Sequence, residues 1–477
     1  MSNPRRPEKY DVYATDETVS PIGRRYGTKE MVRVFSARAY LNRLLDVEAK
    51  VSEVISRHYP ALVPPEAASE IRKKASLKYV TQDRVTEIEK QTHHDVMSVV
   101  QALSEQCEGD AGGYVHYTLT SADVTESAKA IQMKEGLEIL IGRLEQLRDA
   151  CLDRAKEWRA IPCIIRTHGI HAVPGVFGLP FAYFAYLLEK GTDRLFYDYR
   201  TCLEGKISGP IGAFNASKDA GMDVFRVQTE VCDELGIRAA PVASQIPPRE
   251  NIACIVGDLA VLCGSLASLA DHIRVLRRTE ICELSERGDD AQVGSSTMPH
   301  KDVYGGNPII EERLGAIARV MRGFALTAYE SVELEYARDL RASLSDRTVL
   351  PSSFILTDYA VELLLNVIQR IEAIPENIER NLFQTRGIVT SERVMSRLTV
   401  QGLSRQEAHR KISSLATEAF REGKPFNEVL LADPTISRLL SPGAINELSD
   451  PRTYTGSAAQ IIDRVAKLIG KKRRVGK

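Results

Sequence analysis

The segment from Gly294 to Lys301 combines small polar residues with two side chains that can carry positive charge, in the order GSSTMPHK. Its glycine and two serines let the backbone close over a ligand, and their N–H groups and hydroxyls suit a carboxylate or a phosphate. Lys301 adds a point charge for an acidic group. This composition predicts a flexible loop that closes over an anionic substrate.

Other segments carry groups that suit the same chemistry. His168 and His94 are candidate proton donors or acceptors, because histidine titrates near neutral pH. Thr120 and Ser121 precede Asp123 in the pattern of a helix N-terminus. Such a terminus is also a binding site for anions.

Local patterns give each histidine an expected setting. The glycine after His168 and the proline-stiffened turn behind it predict that this histidine lies at the start of a helix. His93 and His94 are expected on one helix, where adjacent side chains point in different directions. We therefore expect His94 to face the site and His93 to play no part in it.

The charge balance excludes several classes of protein. Lysine and arginine number 63 and aspartate and glutamate 64, which gives a formal net charge of −1. This balance argues against general binding to nucleic acid or membranes. The most apolar stretch, residues 252–270, is typical of a core helix, and no secretory signal is evident. The eight cysteines match neither a disulfide framework nor a metal site, so we expect a cytoplasmic protein without a metal.

Apolar residues recur with helical spacing along most of the chain. The clearest stripes are Leu44, Val47, Val51 and Val54, and Leu137, Leu140, Leu144, Leu147 and Cys151. Long periodic segments with short Gly/Pro breaks predict a bundle of long helices. We predict a helical N-terminal domain at residues 1–120, a central long-helix bundle with the loop at 121–372, and a helical C-terminal domain at 373–477.

Residues from about 20 to 410 resemble the adenylosuccinate lyase branch of the fumarase/aspartase superfamily. The segment from Gly294 to Lys301 is similar to the signature loop of that superfamily, and its His-Lys ending is similar to that of the branch. The resemblance implies an all-α, three-domain fold whose central bundle is shared in a homotetramer, with each active site built from three subunits. It implies no cofactor and a small-molecule nucleotide substrate. Its expected reaction is elimination of fumarate from N-succinyl nucleotides by general base and general acid catalysis.

The resemblance also implies a role for individual residues. The catalytic positions are Ser296 as base, His168 as acid, and His94, Lys301 and Glu312. A serine hydroxyl needs activation to act as a base, and the loop N–H groups and Lys301 would favour its ionised form. Glu312 is expected as a buried carboxylate that orients a histidine. The substrate-binding positions are Arg25, Tyr26, Asp95, Thr120, Ser121, Thr167, Gln245, Ser295, Asn307, Arg338, Ser343 and Arg347.

Some positions depart from the family pattern and keep other functions open. Four extra residues separate Lys301 from Asn307, Thr118 stands where glycine is usual, and Ala337 and Ala342 replace a usual Glu and His. A related lyase or cycloisomerase acting on another succinate-type or carboxymuconate-type substrate would fit these departures. A helical assembly protein without catalysis is a third possibility. The retained arginines favour the phosphate-bearing substrate, because arginine and hydroxyl groups are a common phosphate grip.

Overall fold

The computed structural model describes residues 20–286, 297–298, 300–301, 305–335 and 337–475. The chain divides into two compact units. The first unit takes residues 1–141, 195–260 and 320–360, and the second takes residues 142–194, 261–319 and 361–477. The division into three consecutive domains made from the sequence stays a prediction, as does the tetramer.

Helices account for most of the described residues. The first half of the chain forms α1 (Lys29–Val34), α2 (Ala37–His58), α3 (Pro65–Lys74), α4 (Gln82–Thr92), α5 (Asp95–Ser104), α6 (Ser121–Glu157), β1 (Pro162–Thr167), β2 (Ile170–Val176), α7 (Leu179–Thr201), β3 (Glu204–Gly205), α8 (Asn215–Asp219), α9 (Val224–Glu234) and β4 (Arg238–Ala239). The second half forms α10 (Glu250–Leu276), β5 (Leu284–Glu286), α11 (Ile309–Glu330), α12 (Arg341–Arg370), β6 (Ile371–Ala373), α13 (Pro375–Phe383), α14 (Ser391–Val400), α15 (Arg405–Glu422), α16 (Phe426–Ala432), α17 (Pro434–Leu439), α18 (Pro442–Ser449) and α19 (Ala458–Val475).

In the part of the chain that the structure describes, the strands are short and form two-stranded sheets. In the second unit β1 and β2 form an antiparallel hairpin, and β5 pairs antiparallel with β6. In the first unit β3 pairs parallel with β4 over two residues each. These small sheets pair only the short segments that connect helices. The all-α fold class expected from the sequence is therefore confirmed.

The apolar stripes of the sequence form the helix cores. The four stripe residues of α2 are buried, and the five stripe residues of α6 have no exposed surface. Helices α10 and α12 are long and apolar enough to cross a membrane, yet more than half of each apolar stretch is buried within the protein. Burial of this kind is typical of core helices. In the second unit, helices α14 to α18 close around a separate cluster that includes Leu398, Ile412 and Phe426.

Gly178, just before α7, leaves no room for a side chain. A Cβ at this position would lie 2.1 Å from the carbonyl oxygen of Ala155 in α6. Because a backbone atom cannot turn aside as a flexible side chain can, Gly178→Ala should lower the free energy of unfolding by about 1–3 kcal/mol. The measurement is the midpoint of thermal unfolding.

Gly142→Ala is the matched control within α6. Gly142 is exposed, and nothing lies within 4 Å of a Cβ added there. This change should stabilise the protein by about 0.5–1 kcal/mol, because alanine loses less backbone entropy in a helix. Equal midpoints for the two variants would contradict the close approach of Gly178 to α6.

Candidate active site

A cavity of about 820 Å³ in the first unit collects most of the predicted binding positions. We refer to it below as the cavity. Its lining includes His94, Asp95, Thr120, Ser121, Gln245, Arg338, Ser343 and Arg347. These residues are far apart in the sequence and come from four separate segments. The fold therefore brings eight of the predicted site residues to one place.

Five helices begin at the cavity. They are α2 at Ala37, α5 at Asp95, α6 at Ser121, α10 at Glu250 and α12 at Arg341, and residues at or next to each start line the cavity. The first turn of a helix presents N–H groups without partners in the helix and carries a partial positive charge. The wall of the cavity therefore suits an anionic ligand.

His94 is the N-cap residue of α5. Its Nδ1 accepts a hydrogen bond from the backbone N–H of Met97 at 3.3 Å. While Nδ1 accepts, the ring proton of the neutral histidine must be on Nε2, so His94 is prepared to donate a hydrogen bond to a ligand. The expectation that His93 and His94 share a helix is wrong. His93 ends α4 with a φ of 54°, and it also lines the cavity.

Arginine and hydroxyl groups form part of the cavity lining. Ser343 and Arg347 are one turn apart in α12, and Arg338 lies just before this helix. The Arg347 guanidinium donates to the Asp95 carboxylate at 2.6 Å. Burial raises the pKa of Asp95, but the hydrogen bonds from Arg347 and from the Val96 N–H outweigh it, so the pKa lies below its usual value. Guanidinium forks beside a hydroxyl are typical of phosphate sites.

Thr120 and Ser121 form the start of α6. The Thr120 N–H donates to the Asp123 carboxylate at 2.8 Å, which caps the helix. Thr118, in the turn before, adopts the left-handed conformation with a φ of 61°. Its hydroxyl accepts a hydrogen bond from the Ser217 hydroxyl at 3.0 Å. Thr118 thus takes the conformation that a glycine would adopt here, and the turn keeps its shape.

Sequence reasoning missed an ion-pair network in the cavity wall, formed by the buried Glu126, Arg249 and Asp346 and the partly buried Lys129. Lys129 donates to Glu126 at 2.7 Å and to Asp346 at 3.1 Å. Arg249 binds the same two carboxylates, at 3.0 Å for Glu126. Burial raises the pKa of Glu126, but the two cations outweigh it and keep the carboxyl ionised. The only trace in the sequence is three charges spaced three residues apart in the first turns of α6, at Asp123, Glu126 and Lys129.

The second unit carries the predicted acid on a turn. Thr167 pairs with Ile170 in the β1–β2 hairpin, so His168 and Gly169 are its two-residue loop. Both have positive φ angles, 56° and 78°, as a tight hairpin turn requires. The expectation that His168 lies at a helix start is therefore wrong. The histidine is exposed at the tip of a hairpin, next to an exposed Thr167.

A buried ion pair anchors this hairpin. Arg166, in β1, donates two hydrogen bonds to the Glu283 carboxylate, at 3.1 and 2.6 Å. Asn381 donates to the same carboxylate at 2.8 Å. The pair fixes the end of β1 that leads into His168.

Lys301 and Asn307 are in contact despite the extra residues between them. The Lys301 ammonium donates to the Asn307 side-chain oxygen at 2.9 Å. Gly305 and Gly306 both have positive φ angles, which lets the chain return to Lys301 after the extra residues. Ser295 and Ser296 lie outside the described residues.

The buried glutamate of this segment is Glu311 and not Glu312. Glu311 pairs with Arg277 at 2.6 Å, and burial raises the pKa of its carboxyl. Glu312 is exposed at the start of α11, so the expectation of a buried carboxylate at this position is wrong. The N–H of Glu312 continues the helix by donating to Pro308.

Two predicted phosphate ligands belong to the first unit but do not line the cavity. Arg25 is exposed, and Tyr26 packs against Tyr359 of α12 with ring centres 6.1 Å apart. Both backbone N–H groups donate to Pro21 in a tight turn. Across the described ranges, no group of three or more His, Cys, Asp or Glu residues could hold a metal ion.

Comparisons with known proteins agree on one family. A family model described as lyase matches residues 24–323, and one described as adenylosuccinate lyase C-terminus matches residues 387–465. The adenylosuccinate lyase of Methanothermobacter thermautotrophicus is 39% identical over 448 residues, which cover 94% of this chain and 98% of that protein. The adenylosuccinate lyase of Methanocaldococcus jannaschii is 36% identical over 456 residues, which cover 95% of this chain and 97% of that protein.

The fold comparison points the same way. The crystal structure of a fumarate lyase from Mesorhizobium sp. BNC1 superimposes with a TM-score of 0.83 at 25% identity, and the match covers 92% of this chain and 97% of that one. The helical fold, the cavity and the sequence matches are therefore consistent over nearly the whole length. The chain belongs to the adenylosuccinate lyase family of the fumarase/aspartase superfamily, and it is a carbon–nitrogen lyase that eliminates fumarate.

Proposed function

We propose that this protein cleaves adenylosuccinate to AMP and fumarate, and that it also releases fumarate from the succinylaminoimidazole carboxamide ribotide of purine synthesis. The observation that carries the proposal is the content of one cavity. Arg338, Ser343 and Arg347 supply groups for a phosphate, and the helix start at Thr120 and Ser121 supplies groups for a carboxylate. An N-succinyl nucleotide carries both of these anions, and a volume of about 820 Å³ is large enough for such a molecule.

The proposed reaction has two proton transfers. Ser296 removes a proton from the carbon beside a succinyl carboxylate, and the electron pair forms the double bond of fumarate as the carbon–nitrogen bond breaks. His168 gives a proton to the departing nitrogen. Negative charge develops on the carboxylate, and donors already in position stabilise it. The contact of Lys301 with Asn307 supports a role for this pair in holding that carboxylate.

We also propose that the protein works as a cytoplasmic homotetramer with shared active sites. His168 and Lys301 belong to the second unit and are not among the described residues that line the cavity. Large apolar side chains stand exposed on the long helices, among them Tyr183 and Tyr197 of α7 and Leu326 of α11. Exposed apolar surface of this kind is typical of interfaces between subunits.

The proposed reaction can be followed directly as fumarate release from adenylosuccinate. The wild type should release fumarate, and Ser296→Ala should lose at least about a thousandfold in kcat, because the base is gone. Ser413→Ala, an exposed change in α15, is the control and should keep full activity. No release by the wild-type protein would overturn the proposed substrate.

Arg347 tests the phosphate contact. Arg347→Ala should raise KM for adenylosuccinate at least about tenfold and weaken inhibition by AMP similarly, since a charge-assisted contact is lost. Adenosine, which has no phosphate, should inhibit the variant and the wild type alike. Arg57→Ala is a matched control, because Arg57 is also exposed, is paired with Glu234 at 2.6 Å and does not line the cavity. Unchanged KM in Arg347→Ala would exclude the phosphate role.

Mixed oligomers test the shared sites. Ser296→Ala and His168→Ala should each be inactive alone. When the two are unfolded, mixed and refolded together, about a quarter of the sites should hold both native residues if these come from different subunits. Activity should return to about that fraction of wild type. Mixtures that assemble but stay inactive would contradict sharing.

A further inference from the structure

Lys206, just after β3, is completely buried although it carries an ammonium group. Its Nζ lies 2.7 Å from the Asp123 carboxylate, which is equally buried. The same ammonium donates to the carbonyl oxygen of Gly209 at 2.7 Å and to that of Gln245 at 2.9 Å. All three of its N–H groups are therefore used inside the protein.

Asp123 extends this connection to the start of α6. One carboxylate oxygen accepts from the N–H groups of Ser208 and Gly209, at 2.9 and 3.2 Å. The other accepts from the N–H of Thr120 at 2.8 Å. The ion pair thus ties the turn after Lys206 to the helix start that holds the proposed carboxylate contacts.

Gln245 extends the connection in the other direction. Its side-chain oxygen accepts from the Arg338 guanidinium at 2.8 Å, and its side-chain amide donates to Pro210 at 3.1 Å. Its backbone N–H donates to Ala337 at 3.3 Å. The backbone N–H and carbonyl of Gln245 and both ends of its side chain are engaged by the protein. Arg338 is therefore held through Gln245, whose carbonyl is held by Lys206.

We propose that Lys206 is a positioning residue that fixes the distance between the two anion-binding ends of the cavity, Thr120–Ser121 and Arg338. The proposal rests on the proposed function for the identity of the two anions, a carboxylate and a phosphate. A fully satisfied buried polar network is rigid, and small displacements of binding groups reduce catalysis strongly. Replacement of a buried ion pair by apolar residues is often neutral or stabilising, so stability alone does not account for the pair.

The test compares Lys206→Met with Arg148→Met. Arg148 forms another buried pair, with Glu189 at 2.7 Å, and neither of these residues lines the cavity. Both variants should unfold at lower temperature than the wild type. Lys206→Met alone should weaken inhibition by AMP and by succinate at least about tenfold each, because both ends lose their common support. Arg148→Met should keep both inhibition constants within about twofold.

A second comparison separates positioning from direct contact. Arg338→Met removes only the phosphate contact. It should therefore weaken inhibition by AMP and leave the inhibition constant of succinate within about twofold of the wild-type value. If Lys206→Met fails to fold, the double variant Asp123→Asn/Lys206→Met removes both charges and leaves none unpaired. This double variant should show the same weakening of inhibition by both AMP and succinate. Wild-type inhibition constants for both ligands in a folded Lys206 variant would overturn the proposal.

Failure of the proposed function and failure of Lys206 positioning give different results. If the wild-type protein releases no fumarate from adenylosuccinate, the proposed substrate is wrong. Calorimetric titration with inorganic phosphate and with succinate then replaces inhibition as the readout. Joint weakening of both anions in Lys206→Met would still support positioning, and unchanged binding of both would overturn it.

Discussion

The convergence of five helix starts on one cavity is the constraint on which the first unit depends. Each first turn has N–H groups that need acceptors. The protein supplies some acceptors itself, with His94 at the start of α5 and Asp123 at the start of α6. The positive helix ends and arginines are balanced by buried carboxylates such as Glu126 and Asp346. The cavity is therefore prepared for anions without holding a large uncompensated charge.

The second unit presents its groups differently. It carries His168 on a hairpin turn and Lys301 beside a loop, which are settings where a side chain can reach outward. Buried pairs hold the base of each, Arg166 with Glu283 and Arg277 with Glu311. In the proposed reaction, the first unit binds the phosphate and a carboxylate, and the second unit supplies His168 as the acid and Lys301 as a further carboxylate contact.

Much of this arrangement follows from the sequence, because apolar stripes determine helices and local motifs mark helix starts. The buried faces of α2 and α6 were predicted in this way, whereas cavity positions such as Ser343 were predicted from the family resemblance. The hairpin around His168 was missed, because a two-residue turn flanked by short strands gives little periodic signal. Lys129 and Lys206 were missed because a buried lysine looks like a surface lysine until its long-range partners, Asp346 and Asp123, are known. Such contacts depend on tertiary structure, and spacing along the chain does not reveal them.

The decisive measurement is a crystal structure of the protein after its crystals are soaked with AMP and fumarate. The AMP phosphate should lie against Arg338, Ser343 and Arg347, and a fumarate carboxylate should lie at the N–H groups and hydroxyls of Thr120 and Ser121. Both ligands should occupy the cavity of the same subunit. A phosphate bound elsewhere, with these side chains in the positions they have without ligand, would exclude the proposed anion sites.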